Sequence, residues 1–214
     1  GLRTNDIYNP WPEEINRQVV SRIATFHFAP TEVSRANLAR ENITENVFVV
    51  GNSIVDALFF TIEKMNDDAQ LTTSLRQSLE TQGINFDKKI ILVTAHRRES
   101  FGQGLASICD ALRQIALSFP DVQLIYPVHL NPHVRETVMA RLGNAPNAIL
   151  MEPQDYQTFV FLMQRAFMIL TDSGGIQEEA VSISKPVLVM RKVTERVEAV
   201  EEGTAKIVGI QITT

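Results

Sequence analysis

Short apolar segments alternate with longer amphipathic ones throughout the second half of the chain. The apolar segments are typical of buried strands, and the amphipathic ones carry an apolar residue every three or four positions, as helices do. Strands are predicted at 90–94, 122–126, 148–151, 167–171, 186–190 and 206–210, and helices at about 105–119, 132–142, 156–166 and 174–182. Single helices between continuously apolar strands indicate a parallel sheet covered on both faces. The pattern predicts a doubly wound, Rossmann-like α/β domain that binds ligands at the carboxyl ends of its strands.

The first half of the chain is less regular. A helix is predicted from about Pro12, since proline is tolerated in a first turn, and a second helix is predicted with Thr31 as its N-cap. Two short strands are predicted next to these helices, at 25–29 and 47–50. Ser53 is predicted to cap a third helix that ends near Met65, and the polar stretch from there to the strand at 90 is predicted to be connecting structure.

These elements suggest a division of the chain into three parts. Residues 1–52 are interpreted as the end of an N-terminal Rossmann-like domain whose first strands are missing, 53–89 as a connecting helix and linker, and 90–214 as a second Rossmann-like domain. The chain begins at Gly1 with no strand or helix signal before it. We therefore expect a piece of a longer protein.

Composition narrows the classes of function. A net charge of −5 argues against a nucleic-acid-binding protein, which normally presents a basic face. The single cysteine, Cys109, lies in an apolar helical pattern, so it is interpreted as a core residue, and it excludes an internal disulfide and a cysteine-based zinc site. No apolar run approaches the roughly 18 residues that span a bilayer. We expect a cytoplasmic protein that does not interact with membranes.

The strongest local signal is the turn Asp172-Ser173-Gly174-Gly175 between a predicted strand and a predicted helix. A helix N-terminus exposes unpaired N–H groups, and glycine lets an anion approach the backbone, so the turn suits a phosphate. Glu178 or Glu179, one turn further, is placed to accept the hydroxyls of a ribose. The competing interpretation is an ordinary strand-to-helix turn with an Asp or Ser cap.

Three more predicted strands end in groups that bind anions. His96, Arg97 and Arg98 follow the first, and the alternative there is a surface cluster in which Glu99 pairs with an arginine. His129 follows the second, either as a ligand contact or as a turn residue hydrogen-bonded to the backbone. The strand at 186–190 is followed by Arg191 and Arg196. Four such ends on one rim predict a pocket for a nucleoside diphosphate.

Several other chemistries find no motif. The histidines lack HExxH spacing, so no metal is expected. No GxGxxG follows a strand, so a bound NAD is not expected. The phosphate-loop pattern GxxxxGK[ST] is also missing from the sequence.

The chain resembles the non-hydrolysing UDP-N-acetylglucosamine 2-epimerases of bacteria along essentially its whole length. The matching segments are GLRTNDIYNPWPEEINR, FAPTEVSRANLARE, VGNSIVDAL, VTAHRRES, YPVHLNP, TDSGGIQEEA and KPVLVMRKVTERVEA. The resemblance implies two Rossmann-like domains facing each other across a cleft, as in GT-B glycosyltransferases, and a homodimer. It implies no cofactor.

The resemblance also implies a reaction that the residues alone do not reveal. UDP-N-acetylglucosamine loses its C2 proton and UDP by anti elimination, and UDP adds back to the enzyme-bound glucal to give the opposite configuration at C2. The product, UDP-N-acetylmannosamine, supplies cell-envelope polysaccharides. The reaction needs a base, aid for the departing diphosphate, and an anion site that retains UDP.

The family's site residues map onto this chain as follows. Its catalytic glutamate and histidine correspond to Glu13 and His96, although Glu13 alone looks like an acid at a helix N-terminus. The UDP site corresponds to Ser173, Gly174, Gly175, Glu179, Phe159 and Arg196, although the spacing of Phe159 equally suits a core residue. A second, activating UDP-sugar site corresponds to Glu13, Arg97 and His129.

The chain departs from the family's pattern in two respects. The family's catalytic aspartate and a further catalytic glutamate would precede Gly1, so the chain alone is expected to be inactive. Val197 replaces the usual proline after Arg196, with a small expected effect. The same motifs also fit an epimerase of a modified UDP-sugar, a hydrolysing 2-epimerase, a GT-B transferase or a non-catalytic UDP-sugar-binding regulator.

Overall fold

The computed structural model describes residues 1–97, 102–191 and 194–209. Six strands of this part of the chain form one sheet in which every neighbouring pair is parallel. They are β3 (Lys89–Thr94), β4 (Val122–Pro127), β5 (Ala148–Met151), β6 (Met168–Thr171), β7 (Val187–Val189) and β8 (Ala205–Ile207), in the spatial order β5-β4-β3-β6-β7-β8. This is the strand order of a Rossmann fold, with the topological switch between β3 and β6. The predicted fold class is confirmed.

Helices cover both faces of the sheet, whose strands are mostly apolar. In order along the described part of the chain, the helices of both units are α1 (Glu13–Ile23), α2 (Glu32–Arg40), α3 (Ser53–Asp67), α4 (Ala69–Thr81), α5 (Gln103–Ser118), α6 (Pro132–Leu142), α7 (Tyr156–Arg165), α8 (Gly174–Ser182) and α9 (Val197–Glu201). One core joins side chains of α3, α4, α7 and α8 to the sheet, and a second core on the other face joins those of α5 and α6. Cys109 lies in this second core, fully buried, as predicted.

The first unit consists of α1 and α2 with a two-stranded parallel sheet. Its strands are β1 (His27–Ala29) and β2 (Val47–Val49), and the Thr31 side chain accepts a hydrogen bond from the Ser34 N–H as the predicted N-cap of α2. The rings of Phe28 and Phe48 lie 6.1 Å apart and are 67% and 48% exposed. An exposed pair of large apolar side chains fits a sheet surface that is covered by further structure. The division of the chain at residue 52 stays a proposal.

Two sequence predictions were wrong. The stretch predicted as linker contains α4, whose polar surface hides an apolar stripe of Leu71, Leu75 and Leu79 packed on the core, with Asp68 as its N-cap. The cap of α3 is Asn52, which accepts a hydrogen bond from the Ile54 N–H; Ser53 is already in the helix.

Near its end, the described part of the chain differs slightly from the predicted elements. Helix α9 was not predicted. The last strand begins one residue earlier than expected, and residue 210 lies outside the described part. No helix in the described part is long and apolar enough to cross a membrane.

Candidate functional site

A cleft of about 400 Å³ opens at the carboxyl ends of the central strands. Its lining includes His96 after β3, His129 after β4, Gln154 and Phe159 beyond β5, and Ser173 after β6. These residues are up to 77 positions apart in the sequence and meet because parallel strands all end at the same edge of the sheet. Three of the four predicted strand ends therefore meet at this cleft, whereas Arg196, which follows β7, lines a separate cavity with Glu178.

Asp172, directly after β6, connects its own loop to the loop after β3 at the topological switch point. Its side chain is fully buried, and its Oδ2 accepts hydrogen bonds from the backbone N–H groups of His96 (2.7 Å) and Arg97 (2.8 Å). Beneath it, the hydroxyls of Thr94 and Thr171 lie 2.6 Å apart across the two central strands. From the sequence, Asp172 was predicted only as a possible cap, although an acid directly after a buried strand is a signal for such an anchor.

The imidazole of His96 lies between Asp172 and His129. Its Nδ1 is 3.4 Å from Asp172 Oδ1, and its ring stacks on that of His129 with centroids 5.4 Å apart. Burial, together with His129 and Arg97, lowers the pKa of His96, and the Asp172 carboxylate opposes them by raising it. The net effect is a lowered pKa, which favours the neutral ring at neutral pH.

The structure shows His129 as a turn residue, and its predicted contact with a ligand stays a prediction. Its Nδ1 accepts a hydrogen bond of 3.1 Å from the Asn131 N–H, as expected of a turn residue. It also lines the cleft and stacks on His96.

The turn before α8 has the features of an anion site. Ser173 is the N-cap residue, but its side chain makes no capping hydrogen bond, and the Asp172 carboxylate is directed to the β3 loop. The interpretation as an Asp- or Ser-capped turn is thus not what the structure shows. The guanidinium of Arg196 lies so close to Gly174 that a Cβ there would come within 2.4 Å of Nη1. Backbone N–H groups and an arginine therefore meet at one point.

The two glutamates of α8 have different partners. Glu178 accepts hydrogen bonds from Arg196 Nε (2.7 Å) and from the Asn52 amide, so it holds the arginine. Glu179 is buried and accepts a hydrogen bond of 2.7 Å from the Tyr156 hydroxyl. Burial raises the pKa of Glu179, and the neighbouring charge of Glu178 acts in the same direction. Glu179 is thus the acid beside the cleft, where Tyr156 is also found.

Phe159 is a core residue that also reaches the cleft, and its predicted place near the uracil stays a prediction. It is half-buried, packs against the core and contributes to the lining of the cleft.

Glu195 is the centre of an ion-pair network that the sequence analysis missed. It is 4% exposed, and its carboxylate contacts Arg191 (3.0 Å), Arg17 of α1 (3.1 Å) and Arg196. Arg191 is itself buried, so its charge acts from inside the protein and not at the rim where it was expected. The network connects α1 to the turn before α8.

Glu13 stands at the start of α1 and is 47% exposed, with its Oε1 3.7 Å from Arg97 Nη1. Its neighbour Glu14 is fully buried and accepts hydrogen bonds from the backbone N–H groups of Thr4 and Asn5. The carboxylate of Glu13 is thus the one that faces the β3 loop. The predicted contributions of Arg98 and Glu99 lie outside the described residues.

The strand order and the cleft at its switch point place this chain among the Rossmann-like α/β proteins. A family model described as UDP-N-acetylglucosamine 2-epimerase matches residues 1–213, and the chain belongs to that family. The UDP-N-acetylglucosamine 2-epimerase of Yersinia pestis is 55% identical over 213 residues, which are 99% of this chain and 56% of that protein. The Escherichia coli K12 enzyme of the same name is 53% identical over 98% of this chain and 55% of its own length.

Solved structures agree with these sequence matches. The Neisseria meningitidis UDP-GlcNAc 2-epimerase bound to UDP-GlcNAc has a TM-score of 0.95 and 45% identity, covering 99% of this chain and 56% of that one. The Methanocaldococcus jannaschii enzyme in complex with UDP-GlcNAc and UDP has a TM-score of 0.84 and 31% identity, covering 99% and 57%. The chain thus spans a little more than half the length of these relatives.

Proposed function

We propose that the full-length protein containing this chain is an isomerase that interconverts UDP-N-acetylglucosamine and UDP-N-acetylmannosamine without hydrolysis. The C2 proton and the UDP leave in an anti elimination, and UDP adds back to the glucal with the opposite configuration at C2. Family membership supports the proposal. The observation that carries it is that His96 and Ser173 line one cleft and that the guanidinium of Arg196 lies against Gly174, the residue next to Ser173.

The diphosphate is assigned to the turn before α8. The N–H groups of Gly174 and Gly175 and the guanidinium of Arg196 supply donors and positive charge there, while the Ser173 N–H donates to Thr171 Oγ1 at 2.9 Å. Retaining UDP at this site keeps the glucal intermediate from being stranded. The ribose is assigned to Glu179 and the uracil to the side of the cleft formed by Phe159.

The proton transfers are assigned to His96 and Glu13. His96 borders the same cleft as the diphosphate site, and its neutral ring is able to exchange a proton near neutral pH. Glu13 is exposed beside the loop that carries His96, held near Arg97. The absence of a metal and of a redox cofactor, the homodimer, the cytoplasmic location and the supply of envelope polysaccharide remain predictions.

The direct test of the function is NMR spectroscopy of the full-length protein incubated with several UDP-sugars in D₂O. UDP-N-acetylglucosamine is expected to yield its C2 epimer with deuterium at C2, because the proton that leaves exchanges with solvent. Free N-acetylmannosamine as the product would indicate a hydrolysing enzyme, and turnover of only a modified UDP-sugar would indicate a related epimerase. No epimerisation of any UDP-sugar would refute the proposal.

We also propose a second UDP-sugar position formed by Glu13, Arg97 and His129. The 3.7 Å contact of Arg97 with Glu13 and the stacking of His129 on His96 support it, because a ligand there would touch the catalytic pair. Turnover of UDP-N-acetylmannosamine is expected to be sigmoidal and to become hyperbolic with traces of the epimer. Hyperbolic kinetics from the start would argue against this site.

The glycines of the phosphate turn give a graded prediction. In the Gly174→Ala variant the new methyl group would displace Arg196, so we expect UDP affinity to fall at least about tenfold, the loss of one charge-assisted contact. In Gly175→Ala the methyl group would meet, within the described part of the chain, only Ile54 Cδ1 at 3.6 Å, so the loss should be smaller. Calorimetric titration with UDP measures both, and equal losses would contradict the assigned position of Arg196.

A further inference from the structure

The two oxygens of the Asp172 carboxylate differ in their hydrogen bonds. Oδ2 accepts two backbone N–H groups at 2.7 and 2.8 Å. Oδ1 is buried and makes no hydrogen bond within the described part of the chain. The nitrogen facing it is His96 Nδ1, at 3.4 Å. A buried acceptor without a donor is costly, so this arrangement calls for a proton on that nitrogen.

An ionised carboxylate accepts hydrogen bonds and donates none. It therefore favours the tautomer of the His96 imidazole in which the nitrogen facing the carboxylate carries the proton. At 3.4 Å the two atoms lie just beyond the range of 2.7–3.2 Å typical of N–H···O bonds, so the proposed hydrogen bond requires the imidazole to move slightly towards Oδ1. With Nδ1 turned to Asp172, the opposite nitrogen, Nε2, is the one left for the cleft that His96 lines.

We propose that Asp172 is a positioning residue for His96: it holds the Nδ1–H tautomer and leaves Nε2 as the atom that exchanges protons with the ligand. The inference rests on the proposed function, since it assigns an atom to the proton transfer by His96. When Nε2 takes up a proton the ring becomes an imidazolium, and when it returns the proton the ring is neutral again. Nδ1 stays protonated throughout, next to a negative charge.

The other charged groups around His96 act in the opposite direction. His129 covers one face of the ring, and Arg97, which is itself near Glu13, follows in the chain. Both disfavour the imidazolium, as burial does, and Asp172 is the group that favours it. Removing the charge of Asp172 should therefore lower the pKa of His96 further.

The first experiment is ¹⁵N NMR of histidine-labelled full-length wild-type protein, with the His96 signals assigned by comparison with His96→Gln. The neutral ring is expected to carry its proton on Nδ1. A neutral ring protonated mainly on Nε2 would overturn the inference, and this result needs no variant at position 172.

The second experiment uses Asp172→Asn. Only the amide oxygen accepts, so it should take the Oδ2 position between the two backbone N–H groups, which directs the amide NH₂ at His96 Nδ1. The ring should then change to the Nε2–H tautomer, its pKa should fall, and kcat should fall about a hundredfold with UDP affinity within about threefold. The control Asp110→Asn, which alters a surface carboxylate paired with Arg141, should change none of these quantities.

The outcomes separate this inference from the proposed function. If Asp172→Asn folds and leaves the tautomer and the pKa of His96 unchanged, the inference is wrong. If wild-type protein shows the Nδ1–H ring but does not epimerise any UDP-sugar, the function is wrong while the pairing of Asp172 with His96 stands.

Discussion

Turnover of UDP-N-acetylglucosamine should fall at least about a hundredfold in the His96→Ala and Glu13→Gln variants of the full-length protein, because each removes a group assigned to proton transfer. UDP should still bind within about threefold of wild type, since the turn before α8, Arg196 and Glu179 are untouched. The separation of turnover from binding is the informative result. It is measured by coupled NMR assays of the epimer and by calorimetric titration with UDP.

Two matched variants control for the loss of a similar side chain elsewhere. His133→Ala removes an exposed imidazole at the start of α6, and Glu32→Gln neutralises an exposed acid in the first turn of α2. Both should retain wild-type turnover. Unchanged turnover in both His96→Ala and Glu13→Gln would remove the catalytic assignment and favour a UDP-sugar-binding regulator.

The largest expected loss of stability comes from Glu195→Ala. The substitution leaves the charges of Arg17, Arg191 and Arg196 together without the carboxylate that all three contact. Removing one partner from a buried ionic network costs about 3–5 kcal/mol of the free energy of unfolding. Urea denaturation measures it. The surface variant Glu80→Gln, which breaks an exposed pair with Arg76, should cost less than about 1 kcal/mol.

The same carboxylate predicts a dependence of stability on pH. Burial acts to raise the pKa of Glu195, but Arg196, Arg191 and Arg17 outweigh it and lower the pKa from 4.5 to about 2. A group with a depressed pKa stabilises the folded state above its unfolded pKa and loses that contribution as the pH falls through its folded pKa. The difference in stability between wild type and Glu195→Gln should therefore shrink as the pH falls from 4.5 to about 2. A difference that does not change over that window would contradict the ionic role of Glu195.

The sequence by itself determined the fold class and the identity of several cleft residues. Strand and helix periodicities are local properties, so the alternation in the second half of the chain predicted β3 to β8 and the helices α5 to α8 closely, but not α9. The site followed from the same pattern, because a residue directly after a parallel strand lies at the ligand-binding edge. His96, His129 and Ser173 were found in this way, and all three line the cleft.

Local sequence patterns were insufficient where the orientation of a helix determines which of its residues pack on the core or contact a partner. The polar surface of α4 concealed three leucines at intervals of four residues, so a packed helix was mistaken for a linker. In the same way, adjacent glutamates on α8 have equal propensities, yet one faces Arg196 and the other Tyr156.

Only the tertiary structure decided which charges meet. Arg17 and Glu195 are 178 positions apart, and no spacing in the sequence announces their contact. The pairing of Asp172 with the β3 loop likewise depends on β3 and β6 being neighbours, which the strand order establishes and the strand pattern does not. Secondary structure is encoded by neighbouring residues, whereas the partner of a buried charge is chosen by the packing of distant segments that exclude water around it.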